Sequence, residues 1–323
     1  MTQSAEPAGA HTAKLIEGAK QEGKMTFYTS TSLEDSEALL KRFKQIYPFI
    51  KTELYRANAD RLMAKMLTEA QAGKFFWDVQ INGDLNTESM KRDGHIGKYV
   101  SPQVAFYDEA SIDPEGYWVD TYPNLICIGY NTRLVSKENA PKTWDDLLDS
   151  KWKGKMGIPT NPYTWFINMI RIRGEEKALE YMKSLSAQDL RVRRGTSLNV
   201  ELLTAGEFSL GIALTNYRIQ ALMEEGAPLA WVVPEPAIQV LHPISMSSKA
   251  PHPSAAKLFI DFVLSKEGQE ILASFYRIPT HKEVPARYPA IKCEGVKRMP
   301  FSPKNVDDYE KYVALFKKIF IKK

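Results

Sequence analysis

The chain reads as an α/β protein of two lobes, each a mainly parallel sheet flanked by helices, and three observations predict this. With 323 residues, 44% of them hydrophobic and 25% charged, it is long enough for two cores and too long to be comfortable as one. Short β-prone runs alternate with amphipathic segments from the start, the pattern of βαβ units. Two long β-prone segments, residues 117–130 and 238–246, stand where the chain would cross from one lobe to the other and back, and no Gly/Ser linker interrupts it. The first lobe is therefore expected over residues 1–122 and 241–287, and the second over 123–240 and 288–323 with a C-terminal helix.

In order along the chain, a strand is predicted over 25–28 and a helix over 33–47. Ser32-Leu33-Glu34-Asp35 has the form of a capping box at that helix's start. A strand over 52–55, a helix over 58–72 and a strand over 77–81 complete βαβαβ. After the first crossing, Thr143 can cap a helix over 144–148, and a second βα series begins with a strand over 156–158 and helices over 162–173 and 175–186. Strands over 189–192, 209–214 and 229–233 follow, separated by helices over 197–204 and 217–225, the latter ended by Gly226. Leu258, Phe259, Phe262 and Val263 form one apolar face of a helix starting near Pro253. Ser265 can cap a second helix there, and Pro279 prevents continuation past it. A final helical stripe carries Tyr309, Val313, Phe316 and Phe320.

Composition excludes several classes. A net charge of +4 without Lys/Arg clusters interleaved with aromatics argues against nucleic acid. No apolar run approaches the roughly 20 residues of a membrane span. The opening MTQSAEPAGA lacks a basic and an apolar region, so it reads as a mature or engineered start. Cys127 lies in the apolar run Leu125-Ile126-Cys127-Ile128 and reads as a small core hydrophobe; spacing leaves open whether it pairs with Cys293.

Phrases along most of the chain resemble family 1 extracellular solute-binding proteins of ABC importers. They are EGAKQEGKMTFYTS (17–30), AGKFFWDV (72–79), IGYNTRLV (128–135), APKTWDDLLDSKWKGKMGIP (140–159), LLTAGEFSLGIA (202–213), EEGAPLAWVVPE (224–235) and APHPSAAKLFIDFVLSKEGQEILASFYRIPT (250–280). The resemblance implies the two-lobed type II periplasmic-binding-protein fold, in the subgroup that includes ferric-binding proteins, with a ligand cleft between lobes. It implies a monomeric receptor, periplasmic or extracytoplasmic, whose export signal has been removed. Such a receptor closes about a hinge on a small-molecule ligand and hands it to the permease subunits, needing no cofactor and no membrane insertion.

Ligands of open α/β sheets bind beyond the carboxyl ends of the strands. In the first lobe this selects Thr29, Ser30 and Thr31, and Asn82 and Asp84 around Gly83, residues that could equally cap the next helix. In the second it selects Asn161, Tyr163 and Thr164, in a loop that resembles the family's ligand loop. Arg193-Arg194-Gly195-Thr196-Ser197 brings cations to a helix start suited to an anion. Here Arg194, Thr196 and Ser197 are the candidates, and Arg193 is expected to be a solvated strand end. Asn216, Tyr217 and Glu235 follow, Glu235 being flanked by Pro234 and Pro236, which could hold it for turn geometry alone.

Where ferric-binding members of the superfamily carry two adjacent tyrosines, this chain has Tyr217 followed by Arg218, and its five histidines lack ligand spacing. A small polar anion is therefore expected as ligand, with ferric ion or a ferric complex as the alternative and no metal site assigned. An enzyme on the same fold, of thiaminase or transferase type, is the second alternative. Neither cysteine follows a strand beside a base, and no nucleophile-elbow, P-loop or dinucleotide fingerprint is present.

Overall fold

The computed structural model describes residues 8–321; the opening residues on which the reading of a processed start rests lie largely outside them. In chain order the elements are α1 (Ala8–Glu22), β1 (Lys24–Thr29), α2 (Leu33–Ile46), β2 (Lys51–Arg56), α3 (Ala59–Gln71), β3 (Val79–Ile81), α4 (Asp84–Arg92), β4 (Ile96–Gly97), β5 (Val119–Asp120) and β6 (Asn124–Asn131). Then come β7 (Met156–Pro159), α5 (Tyr163–Arg173), α6 (Glu175–Ser186), β8 (Arg191–Arg193), α7 (Thr196–Ala205), β9 (Leu210–Thr215), α8 (Asn216–Glu224), β10 (Leu229–Val232), β11 (Gln239–Val240) and β12 (Pro243–Ser247). The chain closes with α9 (Pro253–Leu264), α10 (Lys266–Ser274) and α11 (Tyr309–Phe320).

It divides into two compact units, Met1–Pro123 with Leu241–Arg287 and Asn124–Val240 with Tyr288–Lys323. The first unit's sheet runs β2-β1-β3-β12-β4, with β5 also on β12; the second's runs β10-β6-β9-β7-β8, with β11 on β6. Both sheets are mixed rather than mainly parallel. The βα strands pair in parallel, β1 with β2 and β3, and β7 with β8 and β9. The strands that carry the two connections, β12 and β6, run antiparallel to their neighbours. Each predicted crossing is broken into a two-residue strand and a longer one, β5 with β6 and β11 with β12, instead of one continuous run.

In the first unit Phe27, Phe43, Phe259 and Phe262 form the aromatic centre, with Phe43 edge-on to Phe259 at 5.0 Å and Phe27 tilted on it at 4.9 Å. Burying each such ring contributes roughly 1.5–3 kcal/mol, so the apolar face of α9 is a principal fastener of this unit. The helix α1 is absent from the sequence expectation because its pattern is weak; among its residues of described burial, Leu15 and Ala19 are the deeply buried ones. It lies against α9 at Gly18, where a β-carbon would collide with Ser254 Oγ. Glu22 accepts the backbone N–H groups of Ser254 (3.0 Å) and Ala255 (2.9 Å), capping α9 in place of His252, which makes no side-chain cap.

Ser32 and Ser265 take the N-cap positions of α2 and α10. The segment after Thr143 is a 3-10 turn (Asp145–Leu148), whose Asp146 accepts the N–H groups of Lys142 and Thr143. In the second unit Phe316 and Phe320 of α11 pack on Phe166 and Trp165 of α5, which ties the C-terminus to that unit's core. Cys127 is fully buried beside Leu203, Leu214 and Ile219, and both cysteines are free thiols. Burial, and secondarily Cys293, raises the Cys127 thiol well above its ordinary range.

Candidate functional site

The loops at the carboxyl ends of the parallel strands follow β1, β2 and β3 in the first unit and β7, β8 and β9 in the second. After β1, most polar groups are spent on the loop itself. The Thr29 hydroxyl accepts the Thr31 N–H at 3.0 Å, and the Thr31 hydroxyl accepts from Tyr122 Oη at 2.9 Å. Both threonines are buried, so they shape the loop and do not project from it. Ser30 donates its N–H to Ile81 O at 3.0 Å and is only half-buried, which leaves it as the reaching residue of the three.

After β3 the outcome is similar. Asn82, fully buried, accepts the Gly83 N–H at 2.9 Å. Asp84, 3% exposed, accepts the N–H of Leu85 at 2.8 Å and of Leu241 at 3.1 Å. Its sequence-level role as a ligand contact gives way to a structural one: it pins the point at which the chain re-enters this unit. Asp120 does the same one residue on, accepting the His242 N–H at 2.6 Å. Burial pushes the Asp84 carboxyl up to about 7 and, with the charge of Asp84 as a lesser cause, Asp120 up to about 8. Backbone N–H groups pull both back down without offsetting the loss of water.

Around this junction Tyr122 is stacked on His242 (4.5 Å between ring centres), and the Arg277 guanidinium lies 4.5 Å from the Tyr122 ring centre. Arg277 is 2% exposed and pairs with Asp35 at 2.6 Å. Thr280 donates to the carbonyl of Asp120 at 2.8 Å. The phrase Arg-Ile-Pro-Thr thus locks the loop after β1, the start of α2 and both chain connections of this unit. Sequence reading reached its family resemblance but not this function, because Asp35 lies 242 residues away.

In the second unit Tyr163 turns edge-on to Tyr309 (5.9 Å) and Phe316 (5.7 Å), an anchor for α11 rather than a group free to reach a ligand. Asn161 and Thr164 are half-buried, and the Thr164 carbonyl accepts from Asn168 at 2.8 Å. Asn216 is fully buried and bridges Leu125 N–H and Ile291 O, so it too is framework.

The loop after β8 keeps its open character. Arg193 pairs with Glu207 at 2.9 Å, a carboxylate it shares with Arg191 at 3.5 Å, whereas Arg194 is exposed and has no ion pair among the described residues. Gly195 turns the chain at φ +73° and occupies the N-cap of α7, which has no side-chain cap. Asn199, missed from sequence, donates to the Gly195 and Arg193 carbonyls (3.1 Å to the latter) and fixes the loop's shape. Thr196 is half-buried and Ser197 exposed at the helix start, where the unpaired N–H groups and the dipole favour negative charge. Tyr217 is half-buried in the first turn of α8 with Arg218 beside it, and Glu235 is exposed between its two prolines. Among the described residues no group of three His, Cys, Asp or Glu is placed to hold a metal ion.

Residues 85–293 match the family model described as bacterial extracellular solute-binding protein. An uncharacterised protein of Haemophilus influenzae is 28% identical over 268 residues, covering 78% of this chain and 76% of that protein. Iron uptake protein A1 of Synechocystis is 24% identical over 294 residues, covering 84% and 80%. Among solved structures, the periplasmic binding protein AfuA of Actinobacillus pleuropneumoniae, with fructose 6-phosphate bound, superposes with a TM-score of 0.83 at 25% identity, covering 93% of this chain and 99% of that one.

Proposed function

The chain belongs to the bacterial extracellular solute-binding protein family, the solute receptors of ABC importers, and from that premise we propose that its solute is a small organic anion. It is a binding protein and not an enzyme, as its family and structural relatives are. The proposed cycle is capture in the periplasm by a monomer, closure of the two units around the solute, and delivery to the permease subunits. No described helix is long and apolar enough to cross a membrane.

One observation carries the anionic reading: Arg194 stands exposed and without an ion pair among the described residues at an uncapped helix start, next to an arginine that shares Glu207 with Arg191. The bound sugar phosphate of AfuA is consistent with it. Calorimetric titration with fructose 6-phosphate, citrate and inorganic phosphate tests it. For the probe that binds, Arg194→Ala is expected to cost about 1.5–3 kcal/mol, roughly a 10- to 150-fold loss of affinity. The melting temperature of the free protein should barely move, since exposed substitutions usually stay within about 0.5 kcal/mol. Unchanged affinity would reduce Arg194 to solvated surface.

The similarity to an iron uptake protein favours one second reading, ferric ion or a ferric complex. A lone phenol, Tyr217, beside a guanidinium makes a poor ferric site. Added ferric ion is therefore expected to give no strong phenolate charge-transfer band in the visible spectrum, and a tight, coloured one-to-one complex would replace the anion by the metal.

A further inference from the structure

We infer that Arg56, at the carboxyl end of β2, is a second anion-recognising residue and supplies the first unit's contact to a phosphate or carboxylate group of the solute. This rests on the reading of the protein as a receptor for a small anion. Arg56 sits in register with Thr29, the last residue of β1, so the side chain starts beside the loop from which Ser30 reaches out. Its Nε donates to the Thr31 carbonyl at 3.1 Å, which anchors the base of the guanidinium to that loop.

The two Nη groups have no ion pair among the described residues, and the residue is exposed. Asp35 at the start of α2 is already paired with Arg277. A guanidinium held by Nε keeps both Nη groups for a bidentate contact, the geometry that suits two oxygens of one carboxylate or phosphate. The loop that Arg56 Nε holds also carries the Ser30 hydroxyl and leads into α2, a helix of 14 residues whose Leu33 and Glu34 N–H groups precede the Asp35 N–H that Ser32 caps. A lysine at this position would keep the charge and lose both the anchor and the fork.

Alanine and lysine variants of Arg56, alongside Arg194→Ala, test the inference by calorimetric titration with fructose 6-phosphate, citrate and inorganic phosphate. Arg56→Ala is expected to weaken the bound probe about tenfold or more, Arg56→Lys to lie between it and wild type, and both to melt like wild type. A phosphate arm that responds while the citrate arm does not identifies a phosphate ester, and the converse a carboxylate; either outcome supports the role of Arg56. Wild-type affinity in Arg56→Ala with a loss in Arg194→Ala overturns this inference and leaves the receptor reading standing. A fall in affinity matched by a fall in melting temperature, and not relieved by lysine, overturns it as well by making Arg56 a loop fastener. Failure of the wild-type protein to bind any of the three probes overturns the anionic reading, and the role of Arg56 with it.

Discussion

Arg277→Ala is expected to destabilise the first unit by about 3–5 kcal/mol, the range for removing one partner of a buried ion pair. The variant leaves Asp35 buried without its cation and removes the guanidinium from the Tyr122 ring. For a unit of this size the melting temperature should fall by roughly 6–20 °C. The damage should extend to the loop after β1, since Tyr122 holds Thr31. Much of this cost is the penalty of the abandoned carboxylate and not the worth of the pair. An apolar double variant, Asp35→Leu with Arg277→Met, should therefore lose less than Arg277→Ala alone, although Asp35 also accepts the hydroxyl of the α2 cap, Ser32. Thermal melting of the three proteins decides the matter. A loss under about 1 kcal/mol in the single variant would mean that water reaches Asp35 and that the pair is not a fastener.

Asp120→Asn is expected to raise stability at pH 8 and to change it little at pH 5. Both Asp84 and Asp120 have proton affinities in the folded state above the ordinary carboxyl value of 3.8, near 7 and 8 respectively. Folding therefore takes up protons between those limits, and the native state's advantage, complete below about pH 4, is lost as pH rises toward 8. Each tenfold change in proton affinity is about 1.4 kcal/mol, so Asp84 alone contributes a decline on the order of 4 kcal/mol across this window.

Asparagine at 120 keeps an oxygen for the His242 N–H and removes one of two mutually repelling charges. Its amide N–H2 stands where Asp120 Oδ2 has no hydrogen-bond partner, as the protonated carboxyl does at pH 5, so the two proteins differ little there. By the same linkage the expected gain at pH 8 is on the order of 4 kcal/mol, with a flatter profile of melting temperature against pH. A wild-type protein that becomes more stable between pH 5 and 8, or a variant less stable at both, would show that these carboxyls stay ionised through other contacts.

The site was legible in part. Arg194, Gly195 and the start of α7 could be read locally, because a cation, a glycine and a helix start are consecutive in sequence, and Ser30 likewise follows its strand directly. Asp84 and Asn216 carried the same local signal, a polar residue between strand and helix, yet their side chains turn inward to distant backbone groups. Tyr163 read as a loop aromatic and became a packing surface for α11. Nothing near Arg56 in sequence marks it, since its position depends on β2 lying next to β1 and on the carbonyl of a residue 25 positions earlier.

By itself the sequence determined the α/β class, the βα alternation, most helix starts and the family resemblance. These follow from periodicity, capping chemistry and phrase order, all of which act over a few residues. Only the tertiary structure decided that the connecting strands run antiparallel and make both sheets mixed, that α1 and Glu22 complete α9, and which loop side chains face inward. Those outcomes depend on pairings between residues far apart in the chain, such as Arg277 with Asp35 and Leu241 with Asp84, and a buried polar group takes the partner that the fold brings within reach.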